Sequence, residues 1–144
     1  MLQRDYILRL IREFMAALQR MLEKKEVEER KEELKRLYDE YVGPYAFYHC
    51  ATLDDVMKAL AGEEEARRMA KMEMLAELYY AESALVEKPD GDRLLSMAFS
   101  LYDYLEHYSR TFSWERHRKM SDIRQRLDAA GSSAMLPADK CGEE

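Results

Sequence analysis

His49 and Cys50 are the side chains in this sequence best suited to chemistry, because a thiolate is a nucleophile and both residue types ligate metals. They are neighbours in the stretch YVGPYAFYHC, residues 41–50. A working Cys–His pair normally brings its members together from separate elements, and adjacent side chains do not face one another in regular structure. A buried or half-buried Cys50 is the favoured interpretation, and a reactive thiol or a metal ligand is the alternative.

The spacings typical of metal and phosphate sites are missing from the chain. Helical carboxylate metal sites use Glu-x-x-His, but Ala46, Tyr104 and Trp114 stand three residues before the three histidines. The five glycines are isolated from one another, so no glycine-rich phosphate loop is present. We therefore predict no catalytic residue, no metal site and no cofactor. An enzyme that lacks a recognisable motif is the alternative left open.

The same stretch, residues 41–50, is unusually aromatic for a segment between two helix-like patterns, where a polar turn would be ordinary. An ordered loop of this kind must bury its rings or present an adhesive patch. In the first interpretation, Tyr45, Phe47 and Tyr48 fill the space between the first helices and a central helix. In the second, they form the rim of a groove where a partner peptide or subunit docks, because aromatic residues dominate interface hot spots.

A local excess of basic residues stands out because the whole chain has a net charge of −6. Its members in the predicted last helix are Arg116, Arg118, Lys119, Arg124 and Arg126. They are spread around the helix, which is more typical of a solvated shell than of a phosphate-reading face. An acidic partner is the alternative, either a nucleic acid or the acidic surface of this protein itself.

Apolar residues recur at helical spacing along most of the chain, and no strand pattern competes with them. The spacing predicts about six helices: residues 3–25, 27–42, a short helix capped by Thr52 and stopped by Gly62, then 63–87, 92–108 and 114–130. The fourth is apolar on two faces, which predicts that it lies at the centre of the fold. We predict an all-α domain over residues 1–130, built of antiparallel hairpins in a tetratricopeptide-like or irregular bundle, with a flexible tail over 131–144. Whether the first two segments form a hairpin or one bent helix is open.

Three segments carry a resemblance to a known family. They are RDYILRLIREF from Arg4, YVGPYAFYH from Tyr41, and RTFSWERHRKMSDIRQRL from Arg110 to Leu127. In these segments the chain resembles a family of small bacterial proteins of unknown function, over nearly its whole length up to Leu127. The resemblance implies no activity.

A second resemblance concerns residues 72–105, which are similar to a tetratricopeptide unit. Met72, Leu75, Ala76 and Tyr79 match the W-x2-L-G-x2-Y spacing, and Ala98 with Tyr102 resembles A-x3-F. Tyr79 and Ala98 are nineteen positions apart, about ten more than the repeat allows. The likeness implies stacked helical hairpins and, weakly, peptide binding.

Charges interrupt the N-terminal segment every few residues, and the longest run without Asp, Glu, Lys or Arg covers only residues 41–53. We therefore expect no membrane span or signal peptide, and a cytoplasmic protein with reduced thiols, since two cysteines make no disulfide framework. The predicted function is a protein-interaction or assembly module, with the long first helix as the best self-association surface. A nucleic-acid-associated regulator using the basic helix is the second possibility. Peripheral membrane attachment through the first helix is a third and less favoured one.

Overall fold

A computed structural model describes residues 2–109 and 112–129. These residues form seven α-helices and one π-helical turn, with no strand among them. The elements are α1 (Leu2–Leu22), α2 (Val27–Leu37), the π turn (Tyr38–Val42), α3 (Tyr45–Tyr48), α4 (Leu53–Leu60), α5 (Glu65–Ser83), α6 (Asp90–Tyr108) and α7 (Trp114–Ala129). The predicted all-α class is confirmed, and α3 is an added turn inside the expected loop. The predicted tail, residues 131–144, lies outside the described residues.

α1 and α2 form a hairpin and not a bent helix, because α2 packs back against α1 after a short turn. That turn has no glycine or proline to mark it. Arg30 holds it instead: its Nε donates to the carbonyl of Lys24 at 2.9 Å and its Nη2 to that of Lys25 at 3.3 Å. A side chain from the following helix thus supplies the donors that a turn residue would otherwise provide.

The π turn ends at Gly43-Pro44, where proline chemistry predicts that the second helix stops. The Gly43 N–H closes the turn by donating to the carbonyl of Tyr38 at 2.8 Å. A Cβ on Gly43 would lie 2.6 Å from the ring of Tyr48, so this close approach requires glycine. The chain then turns directly into α3, whose first N–H, on Tyr45, donates to Asp39 Oδ1 at 2.8 Å.

The predicted cap at Thr52 is confirmed. Thr52 Oγ1 accepts from the Asp55 N–H at 3.1 Å, and Asp55 Oδ2 accepts from the Thr52 N–H at 3.0 Å. This reciprocal capping box satisfies two backbone donors at the start of α4.

α5 is the centre of the fold, as its two apolar faces predict. It pairs most extensively with α6 and also contacts α1, α2 and the π turn. Met72, Leu75 and Leu78 are fully buried along it, and α6 buries Ala98 and Tyr102 in return. The α5–α6 hairpin expected from the tetratricopeptide likeness is present, whereas the repeat arrangement itself stays a prediction.

α7 packs on α6 and buries Ile123 and Arg116. The corner before it is exposed and aromatic: Phe112 and Trp114 meet edge to face at 4.9 Å, and Trp114 is 79% exposed. None of the described helices is long and apolar enough to cross a membrane.

Candidate binding groove between α1 and α7

The structure places most of the aromatic stretch against the interior. Tyr48 is buried, and its carbonyl accepts from the hydroxyl of Tyr79 at 2.6 Å. Tyr45 is half-buried and donates to Glu82 Oε2 at 2.7 Å. Phe47 alone of the three proposed docking residues is exposed, at 43%. The arrangement matches the interpretation of the stretch as a filler of the core more closely than that of a docking rim.

Glu82 is the buried centre of this region, and sequence reasoning missed it. Its carboxylate accepts from the hydroxyls of Tyr38 and Tyr45, each at 2.7 Å, and His49 Nδ1 lies 2.7 Å from Oε2. Burial first, and then the charge of Glu82, raises the pKa of both tyrosines. Because two hydroxyls and an imidazole already surround the carboxylate, the cluster joins α5 to the π turn and α3 and leaves little capacity for a ligand.

Cys50 is half-buried, in agreement with the favoured interpretation. It is disulfide-bonded in the structure, and the expectation of reduced thiols in the cell stays a prediction. A disulfide sulfur has no thiolate to act as a nucleophile or ligand. Across residues 2–109 and 112–129, no group of three or more His, Cys, Asp or Glu side chains is arranged to hold a metal ion.

All five basic residues proposed on the last helix have partners within the chain. The ion pairs are Arg116–Glu106 (2.6 Å), Arg118–Glu115 (2.8 Å), Arg126–Asp122 (3.1 Å) and Lys119–Glu77, and Arg124 lies over the ring of Phe99 at 5.1 Å. The α7 cations therefore serve largely to neutralise acids on α5, α6 and α7. This corresponds to the sequence-based alternative in which the acidic partner is the protein's own surface.

A groove of about 690 Å³ lies between α1, α5 and α7. Its volume falls within the range of roughly 300–1,000 Å³ that is usual for binding sites. On one side, α1 contributes an apolar wall of Met15, Leu18 and Leu22. The floor comes from α5 and α6 and includes Glu73, Glu77 and Tyr102. On the other side, α7 contributes a cationic wall of Arg118, Lys119 and Arg126. The groove thus has one apolar side and one charged side, which suits an amphipathic occupant.

The floor contains two glutamate carboxyl groups that differ in their burial and in their hydrogen-bond partners. Glu77 is buried, accepts from the hydroxyl of Tyr102 at 2.8 Å and pairs with Lys119. Glu73, one turn earlier, is half-buried and has no hydrogen bond or ion pair within the described residues. Burial, and then the neighbouring charge of Glu77, raises the pKa of Glu73. Glu73 therefore has hydrogen-bonding capacity left for an occupant of the groove.

The apolar wall belongs to a longer row on α1. Leu8, Met15 and Leu22 are exposed by 47%, 38% and 46% and recur every seven residues, with half-buried Ile11 between the first two. The core-facing set, Ile7, Phe14 and Met21, has the same spacing one residue earlier and is buried. α1 therefore carries two apolar registers, one buried and one exposed. The seven-residue spacing of the exposed set was the signal that could have separated them.

The family model that matches this chain covers residues 1–115 and describes a family of unknown function, DUF6483. The chain belongs to the DUF6483 family. No curated protein and no solved structure matches it. The resemblance to a family of unknown function is thus confirmed, although the match ends at residue 115 and not at Leu127.

The DUF6483 match includes the apolar row of α1 and the floor of the groove on α5 and α6. It includes only the first two residues of α7, Trp114 and Glu115. The cationic wall therefore lies on a helix that is almost wholly outside the matched region.

Proposed function

We propose that this DUF6483 protein is a protein-interaction module that receives a partner helix along α1, in the groove between α1 and α7. The observation that carries the proposal is the exposed row Leu8, Met15 and Leu22, aligned at seven-residue spacing beside the groove. Single exposed apolar side chains are ordinary on protein surfaces, whereas an aligned row on one helix is the pattern that helix pairs bury.

The row favours a helix over an extended peptide as the occupant. From Leu8 to Leu22 it spans fourteen residue steps, or about 21 Å at a rise of about 1.5 Å per residue. A partner helix with apolar side chains at matching spacing can bury its own row against it over that length. The charged floor and the cationic wall would then face the polar flank of the partner.

Burial of the row would supply a modest driving force. Full burial of a Leu or Met side chain is worth roughly 1.5–3 kcal/mol. Each side chain of the row is already about half buried, so burial of its remaining exposed surface contributes about 1 kcal/mol. Several such contacts must together exceed the entropy cost of association, which is comparable in size. The expected complex is therefore reversible.

The two surfaces proposed from the sequence are less well suited to be the main docking site. In the aromatic stretch, Phe47 alone of the three residues offers an exposed ring. On α7, phosphate binding would require Arg118 and Arg126 to exchange Glu115 and Asp122 for a nucleic acid. Both remain alternatives to the α1 groove.

Site-specific photo-cross-linking tests the proposal. A benzophenone amino acid at Gln19, which lines the groove, is expected to give discrete protein adducts in cells. The same probe at exposed Glu29 on α2 is the matched control and is expected to give none. Adding Leu22→Lys should abolish the Gln19 adduct, because it places a charge on the apolar wall. Equal labelling from both positions, or none from Gln19, would overturn the proposal.

A further inference from the structure

We propose that a second cavity, between α1, the π turn and α5, binds a small zwitterion, namely an α-amino acid with an apolar side chain. The cavity has a volume of about 230 Å³. It shares no lining residue with the α1–α7 groove. The proposal therefore goes beyond the docking function and does not depend on it.

The base of this cavity is apolar. Val42 from the π turn and Ala70 and Met74 from α5 line it and are buried, and half-buried Leu10 lines it from α1. Side chains of this kind bury the aliphatic or aromatic part of a ligand, while a few polar groups fix its orientation. A cavity of this volume has room for about eight waters. The occupant must therefore be a small metabolite, well below the size of a drug-like ligand.

Arg67 supplies a cation that has no acidic partner in the described part of the chain. It is half-buried and lines the cavity, and its guanidinium lies 5.5 Å from the centroid of the Tyr6 ring. This ring contact leaves the N–H fork of the guanidinium available, and such a fork binds a carboxylate through two parallel hydrogen bonds. Lys71, the second cation of the lining, already pairs with Glu63 Oε2 at 2.7 Å.

Glu40 supplies an acid that is also unpaired. It is exposed on the π turn and lines the cavity, and its carboxylate has no hydrogen bond or ion pair with residues 2–109 or 112–129. Because Lys71 and Glu63 neutralise each other, one uncompensated charge of each sign remains in the lining. A ligand with only a carboxylate would be repelled by Glu40, and one with only an ammonium group by Arg67. A zwitterion pairs with both.

The π turn is a further indication of a ligand site. It contributes Glu40, Tyr41 and Val42 to the lining, and π-helical turns are rare and frequently lie at functional sites. Tyr41 is half-buried and packs edge to face on Phe14 at 5.3 Å, so its ring is held in place. The Tyr41 hydroxyl forms no hydrogen bond with the described residues and has capacity left for a polar group of the ligand.

Isothermal titration calorimetry of the purified full-length chain tests the proposal, with L-leucine, L-methionine and L-phenylalanine as probes. We expect one-to-one binding of at least one probe, with a dissociation constant on the order of 0.1 mM. Two analogues each lack one charge of leucine: isocaproate lacks the ammonium group and isoamylamine lacks the carboxylate. Each should bind about tenfold more weakly than leucine, because it loses a charge-assisted hydrogen bond. No binding of any amino acid, or isocaproate that binds as tightly as leucine, would overturn the proposal.

Charge-neutralising variants assign the two ends of the ligand. Arg67→Gln and Glu40→Gln should each weaken binding about tenfold while the helical circular dichroism spectrum stays unchanged. Arg12→Gln and Glu29→Gln are the matched controls, since both residues are exposed and lie outside the cavity. They should bind like wild type. Equal affinities of all four variants would place the ligand elsewhere and contradict the proposal.

Methyl spectra of methionine-labelled protein locate the ligand independently of these variants. Met74 is fully buried and lines the cavity, so its methyl resonance should move on titration. Met15 lines the α1–α7 groove and should not respond. The Leu22→Lys variant, which is expected to abolish docking, should keep its affinity for the amino acid. Loss of the Gln19 adduct alone would therefore count against the docking function, and an unmoved Met74 resonance alone would count against this cavity.

Discussion

The hydroxyl of Tyr38 donates a 2.7 Å hydrogen bond to Glu82 Oε1, and the two residues are 44 positions apart in the chain. The bond joins the π turn to α5, and the Glu82 side chain is only 2% exposed. A carboxylate so deeply buried is costly unless its oxygens are hydrogen-bonded. The tyrosine hydroxyls around Glu82 therefore offset the cost of burying this carboxylate on the central helix.

Removal of one of these hydroxyls should destabilise the protein. Tyr38→Phe is expected to lower the free energy of unfolding by about 1–2 kcal/mol, because Glu82 loses a donor in a buried site. Urea denaturation followed by circular dichroism measures the change. Tyr104→Phe is the matched control, since the Tyr104 hydroxyl has no hydrogen bond within the described residues. Equal stability of the two variants would show that Glu82 does not depend on Tyr38.

Stability should fall at alkaline pH. Burial raises the pKa of Tyr38 and Tyr102 well above the ordinary value of 10, and burial together with the Asp122 hydrogen bond raises the pKa of Tyr80 to about 12. These groups stay protonated in the fold while the unfolded chain ionises near pH 10. Their contribution is therefore complete below about pH 10 and is lost as the pH rises towards the folded pKa values.

Tyrosinate absorbance at 295 nm measures this directly. The folded protein should show a late titration step above about pH 11 that urea removes. A single step near pH 10 in a chain that is still helical would contradict the assignment.

Two glycine substitutions should have opposite effects. Gly43→Ala should destabilise the protein by about 1–3 kcal/mol, because the new Cβ would lie 2.6 Å from the buried ring of Tyr48. Gly62→Ala has no atom within 4 Å of the new Cβ and should be neutral or stabilising by up to about 1 kcal/mol through the unfolded state. Thermal melts compare the two. A neutral Gly43→Ala would mean that Tyr48 can move, and hence that α3 is loosely packed.

The ion pairs of α7 should differ in how much they contribute to the free energy of unfolding. Lys119→Met is expected to cost about 2 kcal/mol, because it leaves Glu77 buried with only the Tyr102 hydroxyl as donor. Arg118→Met removes an exposed pair with Glu115 and should leave the urea midpoint unchanged. Adding Glu77→Gln to Lys119→Met should recover part of the loss. Equal effects of Lys119→Met and Arg118→Met would refute the role of Lys119 in neutralising the floor.

Local signals made much of the fold predictable. The Thr52–Asp55 cap and the stop at Gly43-Pro44 depend on residues that are neighbours in sequence, and the structure contains both. The α1–α2 hairpin was not predictable, because its turn is held by the side chain of Arg30 and not by turn residues. The predicted end of the central helix at residue 87 was also late, since α5 ends at Ser83.

The sites were less predictable than the fold, for a physical reason. A glutamate on a helix is ordinarily expected at the surface, and nothing in the residues next to Glu82 indicates otherwise. Its burial depends on hydrogen bonds from Tyr38 and Tyr45, which are distant in sequence. The basic residues of α7 stand out in the sequence as a local excess of positive charge. Their ion pairs with Glu77 and Glu106 depend on how α7 packs against α5 and α6. The spacing of residues along one helix does not reveal that packing.

Trp114 is the one tryptophan in the sequence, and it is 79% exposed at the start of α7. Its fluorescence should already resemble that of indole in water while the protein is folded, so emission will barely change when the core melts. Tyrosine absorbance will report on the core instead, since Tyr38, Tyr79 and Tyr102 are buried there. Coincidence of probes is a usual criterion for two-state unfolding. In this protein, a mismatch between the two signals would reflect where the chromophores lie and would not by itself demonstrate an intermediate.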